Sequence, residues 1–186
     1  MILEGIVTTQ NDRGEINVAP MGPIVDPSMS SLRLRPFKTS TTYQNLKQRP
    51  EGVFHVVDDV LLLARAAIGQ LDDPGELLAA EVIDGVVLES ACRWYEFRIE
   101  EFDDTEERTD LLARVVHTGR RRDFFGFNRA KHAVLEAAIL ATRVHLLDRR
   151  EILDQFAALE IPVEKTAGPP EREAFELLKR YVEENA

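Results

Sequence analysis

The chain changes character at Gly126, and that change limits the folds open to it. Ahead of it, short β-branched or alternating runs are punctuated by Gly, Pro, Asn and Asp. Behind it, alanine- and leucine-rich stretches carry helical spacing. The reading is a β-barrel-like domain over 1–125 followed by a helical region, 126–186, packed on the barrel.

Within the front part, Ile2 to Thr8 reads as a strand. Asn11-Asp12-Arg13-Gly14 is a turn with glycine where a positive φ is needed, and Ile16 to Ala19 is the returning strand. Pro20, Gly22 and Pro23 break a regular ladder, so Ala19-Pro20-Met21-Gly22 reads as a strand end or bulge. Leu32 to Arg35 is a short strand with arginines on one face. Thr41 to Arg49 has room for two helical turns before Pro50. Val53 to Val57 is a buried strand, and Asp58-Asp59 offers an N-cap for a helix from Val60 to Gly69. Arg93 to Phe102 alternates most clearly, with Trp94, Glu96 and Arg98 on one side and Tyr95, Phe97 and Ile99 on the other. Thr105 to Thr118 suits helix or strand, and strand is the preferred reading.

In the rear part, Asn128 to Leu147 reads as a helix covered over most of its circumference. Arg149 to Leu159 places Ile152, Phe156 and Leu159 on one stripe, with Pro162 beyond the helix end. Pro170 starts a third helix, Glu171 and Glu173 match its dipole, and Phe175, Leu178 and Val182 supply its apolar face.

A net charge of −10 over 186 residues excludes a general nucleic-acid surface and disfavours anionic membranes. No apolar run approaches the roughly 20 residues that span a bilayer. Met1 to Gln10 has no basic leader and reads as a strand, so a cytoplasmic protein is expected. The single cysteine, Cys92, lies in a strand-like run and reads as a buried inert thiol. His55, His117, His132 and His145 lack the spacing of metal ligands, and no nucleophile elbow is present.

Against this acidic background, Pro27 to Pro50 holds Arg33, Arg35, Lys38, Lys47 and Arg49 and no acid. Thr39, Ser40, Thr41 and Thr42 lie inside it, with Asn45 close behind, at a helix start. Cations, hydroxyls and free helix amides together are the chemistry of a phosphate pocket. A helix cap with a solvated basic face accounts for the same residues. The glycines of a P-loop are absent. A second knot, Arg120-Arg121-Arg122, runs into Phe124, Phe125 and Phe127. It reads either as a solvated loop or as a holder of an anionic or aromatic ligand, with the phenylalanines at a subunit interface or over that ligand. Glu136, amid apolar residues, reads as an internal ion pair with Arg143 or His132, or as a general acid.

The order hairpin, Ala19-Pro20-Met21-Gly22, Arg35-Pro36-Phe37-Lys38-Thr39, Thr42-Tyr43-Gln44-Asn45-Leu46 and the Val53-to-Asp59 strand resembles flavin reductase-like FMN-binding split barrels. The later run Gly126 to Lys131, with Glu136-Ala137-Ala138-Ile139 and Ala141-Thr142-Arg143, is similar to their uncharacterised branch, the domain-of-unknown-function family 447. The resemblance implies a six-stranded split barrel with a C-terminal helical extension, dimeric, binding FMN at the subunit interface. It implies that Ala19, Pro20, Met21 and Gly22 lie along the isoalloxazine. Lys38, Thr39, Ser40, Thr41, Thr42 and Asn45 would hold the phosphate and ribityl chain, and from the residues themselves Arg33, Arg35 or Lys38 would neutralise its charge. Asp58 would lie nearby, and Asn128, Arg129 and His132 would complete the pocket. The function implied is an FMN-dependent oxidoreductase passing hydride or electrons to an acceptor. A nicotinamide-binding fingerprint is missing, so the electron donor is open; a nicotinamide is one candidate, and a pterin is another, suggested by the general chemistry of flavin–pterin exchange and by no feature of the sequence. The alternative is a non-catalytic carrier of FMN or another phosphorylated heterocycle.

Overall fold

The computed structural model describes residues 1–186, beginning with the expected hairpin. β1 (Gly5–Gln10) pairs antiparallel with β2 (Ile16–Met21). Gly14 takes φ +77° in the turn, and the Asn11 carboxamide oxygen accepts from the amides of Arg13 and Glu15. Contrary to expectation, Pro20 stays inside the ladder, opposite Ile6. The reason is that β2 is an edge strand, where proline's missing N–H is tolerated. The break falls at Gly22-Pro23 instead. Beyond it, β3 (Ile24–Val25) pairs with β4 (Ser31–Leu34), while Ile2 still bridges Ile24 in the register of the first hairpin. β2 and β3 are therefore two arms of one bent strand.

The remaining elements of the front half are α1 (Thr41–Gln48), β5 (Glu51–Val56), α2 (Val60–Ala67), β6 (Leu77–Ala79), β7 (Val86–Leu88), β8 (Arg93–Asp103) and β9 (Asp110–Arg120). Residues 110–120 are thus strand, as preferred. The sheet order is β2-β1-β5-β8-β9-β4-β3, and the Ile2 bridge brings its far end back to its start. Counting the bent strand once gives six staves closing on themselves, with β2 as a free flap. Register shifts in β8–β9 at Glu96/Phe97 and Ile99/Glu101 supply local curvature.

The chain divides into two compact units, Met1–Val57 with Pro74–Phe124, and Asp58–Asp73 with Phe125–Ala186. In the second unit α2 buries Leu62 and Leu63 and packs against the C-terminal helices. In the first unit, Tyr95 and Phe97 face a core with Val7, Leu32, Leu34, Leu46, Phe54 and Leu111. Trp94 faces a second cluster with Val53, Ile83 and Val87 beside the β6–β7 hairpin. The alternation read along 93–102 sorts these two faces correctly.

His55 joins β1, β5 and β7. Its Nδ1 donates to the Ile6 carbonyl at 3.2 Å and its Nε2 accepts from the Leu88 amide at 3.2 Å, which requires the neutral ring. Burial pushes its pKa down from 6.5 to about 4, against the smaller opposing effect of the Ile6 bond. Above pH 6.5 neither folded nor unfolded chain protonates this ring. Between 6.5 and 4 only the unfolded chain takes up the proton, so stability is lost as the pH is lowered through this range, by about 3 kcal/mol in all. Urea titrations from pH 7 to 4 on wild type and His55→Gln check this. The variant should lose that part of the slope, and parallel slopes would remove His55 from the account.

The second unit contains α2, α3 (Arg129–Ala141), α4 (Arg149–Thr166) and α5 (Pro169–Asn185). Ile152 and Phe156 of α4 bury against this unit's core, and Phe156 meets the Phe175 ring at 5.6 Å. Two expectations are corrected. α3 stops at Ala141, where the Thr142 and Arg143 amides turn back to the Leu140 carbonyl. Pro162 lies inside α4, not beyond it. Proline there forfeits one backbone bond, and the next turn holds through the Thr166 hydroxyl donating to the Pro162 carbonyl at 2.8 Å. No helix is long and apolar enough to cross a membrane.

Candidate functional site

Residues 35–38 are fixed by backbone bonds before α1 begins. The Pro36 carbonyl accepts from the Thr109 amide and hydroxyl, the Lys38 amide donates to the Glu107 carbonyl at 3.0 Å, and the Arg108 Nε donates to the Arg35 carbonyl. Ser40 then caps α1, its hydroxyl accepting from the Tyr43 amide at 3.2 Å and donating to the Phe37 carbonyl at 2.7 Å. The Thr41 and Thr42 amides precede the first intrahelical acceptor, and no acid stands in the first turn. An anion is favoured at such an end.

The five basic residues separate on inspection of their partners. Arg33 pairs with Asp110 at 3.1 Å, Lys47 with Asp104 at 3.0 Å, and Arg49 with Asp84 at 2.5 Å. The Tyr43 hydroxyl, donating to Asp104 at 2.8 Å, joins the second pair. Hydrogen bonds from Tyr43 and then Lys47 hold the Asp104 carboxyl below its usual range. Lys38 has a long contact to the Thr105 carbonyl, 3.4 Å, and the more distant charges of Asp103 and Asp104. Arg35 is half-buried and has no ion pair. An arginine so placed buries its stem and leaves its guanidinium able to meet an anion.

The hydroxyl cluster also divides. Thr39 and Thr41 are exposed and unbonded through their side chains, whereas Thr42 and Asn45 are 3% and 4% exposed. The Asn45 amide donates to the Thr9 hydroxyl at 3.1 Å, and Asn17 donates to the hydroxyls of Thr42 at 3.1 Å and Thr9 at 3.4 Å. Thr42 and Asn45 thus tie α1 to β1 and β2. Asn17 and Thr9 carried no signal in the sequence reading. What would have flagged them is that the hairpin register sets these two polar residues opposite each other.

Ala19, Pro20 and Met21 are half-exposed on the edge strand β2, which has β1 on one side only. Such an edge leaves backbone donors and acceptors open to a planar polar partner. Gly22 follows, and a Cβ there would come within 2.7 Å of the Glu4 carboxylate. The first unit therefore holds an open strand edge at Ala19 to Met21 and, around the start of α1, two cations, two free hydroxyls and a helix N-terminus, donors of the kinds a phosphorylated heterocycle such as FMN takes.

The other candidates lie in the second unit. Asp58 is buried, its carboxylate accepting from the Phe125 amide at 2.9 Å. Asn128 caps α3, accepting from the Ala130 and Lys131 amides and donating to the Thr166 carbonyl. Arg129 and His132 are exposed, the latter stacked on Phe127 with ring centroids 6.0 Å apart. Glu136 is exposed and makes no ion pair with Arg143 or His132, correcting the buried reading. The inward face of α3 is instead Ala130, Ala133, Val134, Ala137 and Ala141, and Glu136 shares the opposite side with His132.

The basic knot is spent locally. Arg121 pairs with Glu89 at 2.7 Å, Arg122 donates to the Ser90 carbonyl, and Arg120 pairs with Asp123, which matches a solvated loop. No group of His, Cys, Asp and Glu side chains is arranged to hold a metal ion. An open depression of about 640 Å³ on α4, lined by Asp148, Glu151 and Asp154 among others, has the wrong charge for a phosphate.

A closed six-stave antiparallel sheet with a flap at one edge, followed by a helical extension, is the flavin reductase-like split barrel. The chain belongs to the family described as protein of unknown function DUF447, whose N-terminal domain matches residues 3–122 and whose second part matches 128–180. Among solved structures it is similar to the FMN-bound protein MM1853 of Methanosarcina mazei, a DUF447 protein. Identity is 27% and TM-score 0.80, covering 97% of this chain and 94% of that one. The fold is shared more distantly with the 2-nitrobenzoate 2-nitroreductase of Pseudomonas fluorescens, at 18% identity and TM-score 0.54, covering 63% of this chain and 64% of that one. The styrene monooxygenase flavin reductase of Pseudomonas putida shares it at 13% identity and TM-score 0.54, covering 64% and 79%. No curated protein matches the chain.

Proposed function

We propose that this protein binds FMN and serves as a flavin-dependent oxidoreductase, passing hydride or electrons to an acceptor. The observation that carries the reading is Arg35, half-buried and without an ion pair, six residues ahead of Thr41, where α1 starts with free amides. The FMN-bound relative, alike over 97% of this chain, supports it. Arg35 and Lys38 neutralise the phosphate, and Thr39, Thr41 and the first amides of α1 donate to it. Ala19 to Gly22 meet the ring along the open edge of β2. Ser40, Thr42 and Asn45 hold the helix end in place. Phe125 and Phe127, 84% and 94% exposed, are surfaces that a homodimer would cover. Arg129 and His132 are offered to the flavin of the second copy. When bound, the flavin supplies the hydride and electron transfer; the protein binds and orients it.

The test is direct. FMN is added to purified protein, excess is removed by desalting, and the spectrum should retain the flavin bands at one FMN per chain. NADH and NADPH are then supplied anaerobically, and bleaching by either supports the oxidoreductase. A colourless desalted protein would end the flavin reading, whereas flavin bound but reduced by neither nicotinamide would favour the carrier.

A further inference from the structure

We propose that Asn17 is a positioning residue that couples the ring-reading strand to the phosphate-reading helix; the inference rests on the flavin reading above. β2 is an edge strand, so backbone bonds hold it from the β1 side alone. α1 is held elsewhere, at its Tyr43 and Lys47 face by Asp104. A ligand spanning both elements needs their separation fixed, because each misplaced donor loses its bond steeply with distance.

Asn17 supplies that fixed joint. Its carboxamide nitrogen has two protons, and it donates across the hairpin to the Thr9 hydroxyl at 3.4 Å and out to the Thr42 hydroxyl of α1 at 3.1 Å. Thr9 also accepts from Asn45, one turn along α1, at 3.1 Å. Thr9, Thr42 and Asn45 are each under 5% exposed, so water does not replace a missing member without reordering the cluster. The amides to be positioned are those of Thr41 and Thr42, and Thr42 is itself the residue Asn17 grips. Asn17 needs no contact with the ligand. It sets where the phosphate donors stand relative to Ala19 to Met21, two to four residues along its own strand.

Such a joint has a signature that ordinary destabilisation lacks. FMN engages both elements, whereas riboflavin, without the phosphate, engages the strand alone. Asn17→Leu keeps side-chain size and removes both donations, and Thr42→Val removes the acceptor on the helix. Each should weaken FMN roughly tenfold, the scale of one well-placed hydrogen bond, and leave riboflavin within about twofold. Thr42→Ser keeps the hydroxyl and should restore FMN binding. In a background of Arg35→Ala with Lys38→Ala, which leaves the Thr41 and Thr42 amides in place, Asn17→Leu should still weaken FMN severalfold.

Fluorescence titration of both flavins, with folding checked by circular dichroism, reads all of these. If Asn17→Leu does not fold, the Thr42→Val and Thr42→Ser pair decides the matter alone. Wild type that binds FMN, with variants that weaken both flavins equally or neither, overturns the joint and leaves the flavin reading standing. Wild type that binds no flavin overturns that reading first, and this one with it.

Discussion

Replacing Arg35 and Lys38 together with alanine is expected to weaken FMN binding roughly a hundredfold and leave riboflavin within about twofold. Each charge-assisted bond to a phosphate is worth about 1.5–3 kcal/mol, so losing two approaches 3 kcal/mol or more. Arg33 and Lys47 make the control, because Asp110 and Asp104 already neutralise them. Alanine at either should change FMN affinity no more than about threefold. Rising salt should weaken wild-type binding more than the double variant's, since the screened charges are those removed. Isothermal titration of both flavins at two ionic strengths gives every number needed. Equal losses for FMN and riboflavin, or a larger loss at Arg33 than at Arg35, would detach the basic window from phosphate recognition.

The contrast between Arg33 and Arg35 marks how far the sequence alone reaches. Both arginines stand two apart in one acid-free window, and nothing local separates them. Their difference lies in which of them reaches Asp110: the β4–β9 register sets Leu112 opposite Arg33, yet it is the Arg33 side chain that pairs with Asp110, at 3.1 Å, and Arg35 forms no ion pair. The same holds for Lys47, neutralised from the β8–β9 turn. Local pattern was enough for the barrel strands, because alternation along β8 is imposed by the two faces it must cover. It was enough for the N-terminal hairpin and for the cap of α1 as well. It failed where long-range packing decides. Pro162 is carried inside α4 because the surrounding helix is held by burial of Ile152, Phe156 and Val163, which outweighs one lost backbone bond. Glu136 looked buried among alanines, yet the helical period turns it to the open side.

Glu96→Ala should be among the most damaging single changes in the first unit, costing about 3 kcal/mol or more. Glu96 is 0% exposed, and its carboxylate accepts from three successive amides, those of Glu81, Val82 and Ile83, at 2.8, 2.7 and 3.1 Å, and from the Trp94 indole at 3.3 Å. Burial alone would raise its pKa, but the four donors together outweigh that and hold it below the usual 4.5. The group is therefore charged at neutral pH and stabilises the fold above its ordinary titration range. That contribution is lost as pH falls through its lowered folded value. That window opens at 4.5, near the lower end of the His55 window of 6.5 to about 4, so the His55 effect is read above 4.5 and the Glu96 effect below 4. Glu96→Gln keeps the shape and exchanges one acceptor oxygen for a donor facing other donors, so most of the loss should remain. Urea unfolding at pH 7 gives the first number, and its pH dependence below about 4 gives the second. A Glu96→Ala protein within about 0.5 kcal/mol of wild type would mean that the 81–83 loop is held by the apolar packing of Ile83 and Val87, with the carboxylate merely accommodated.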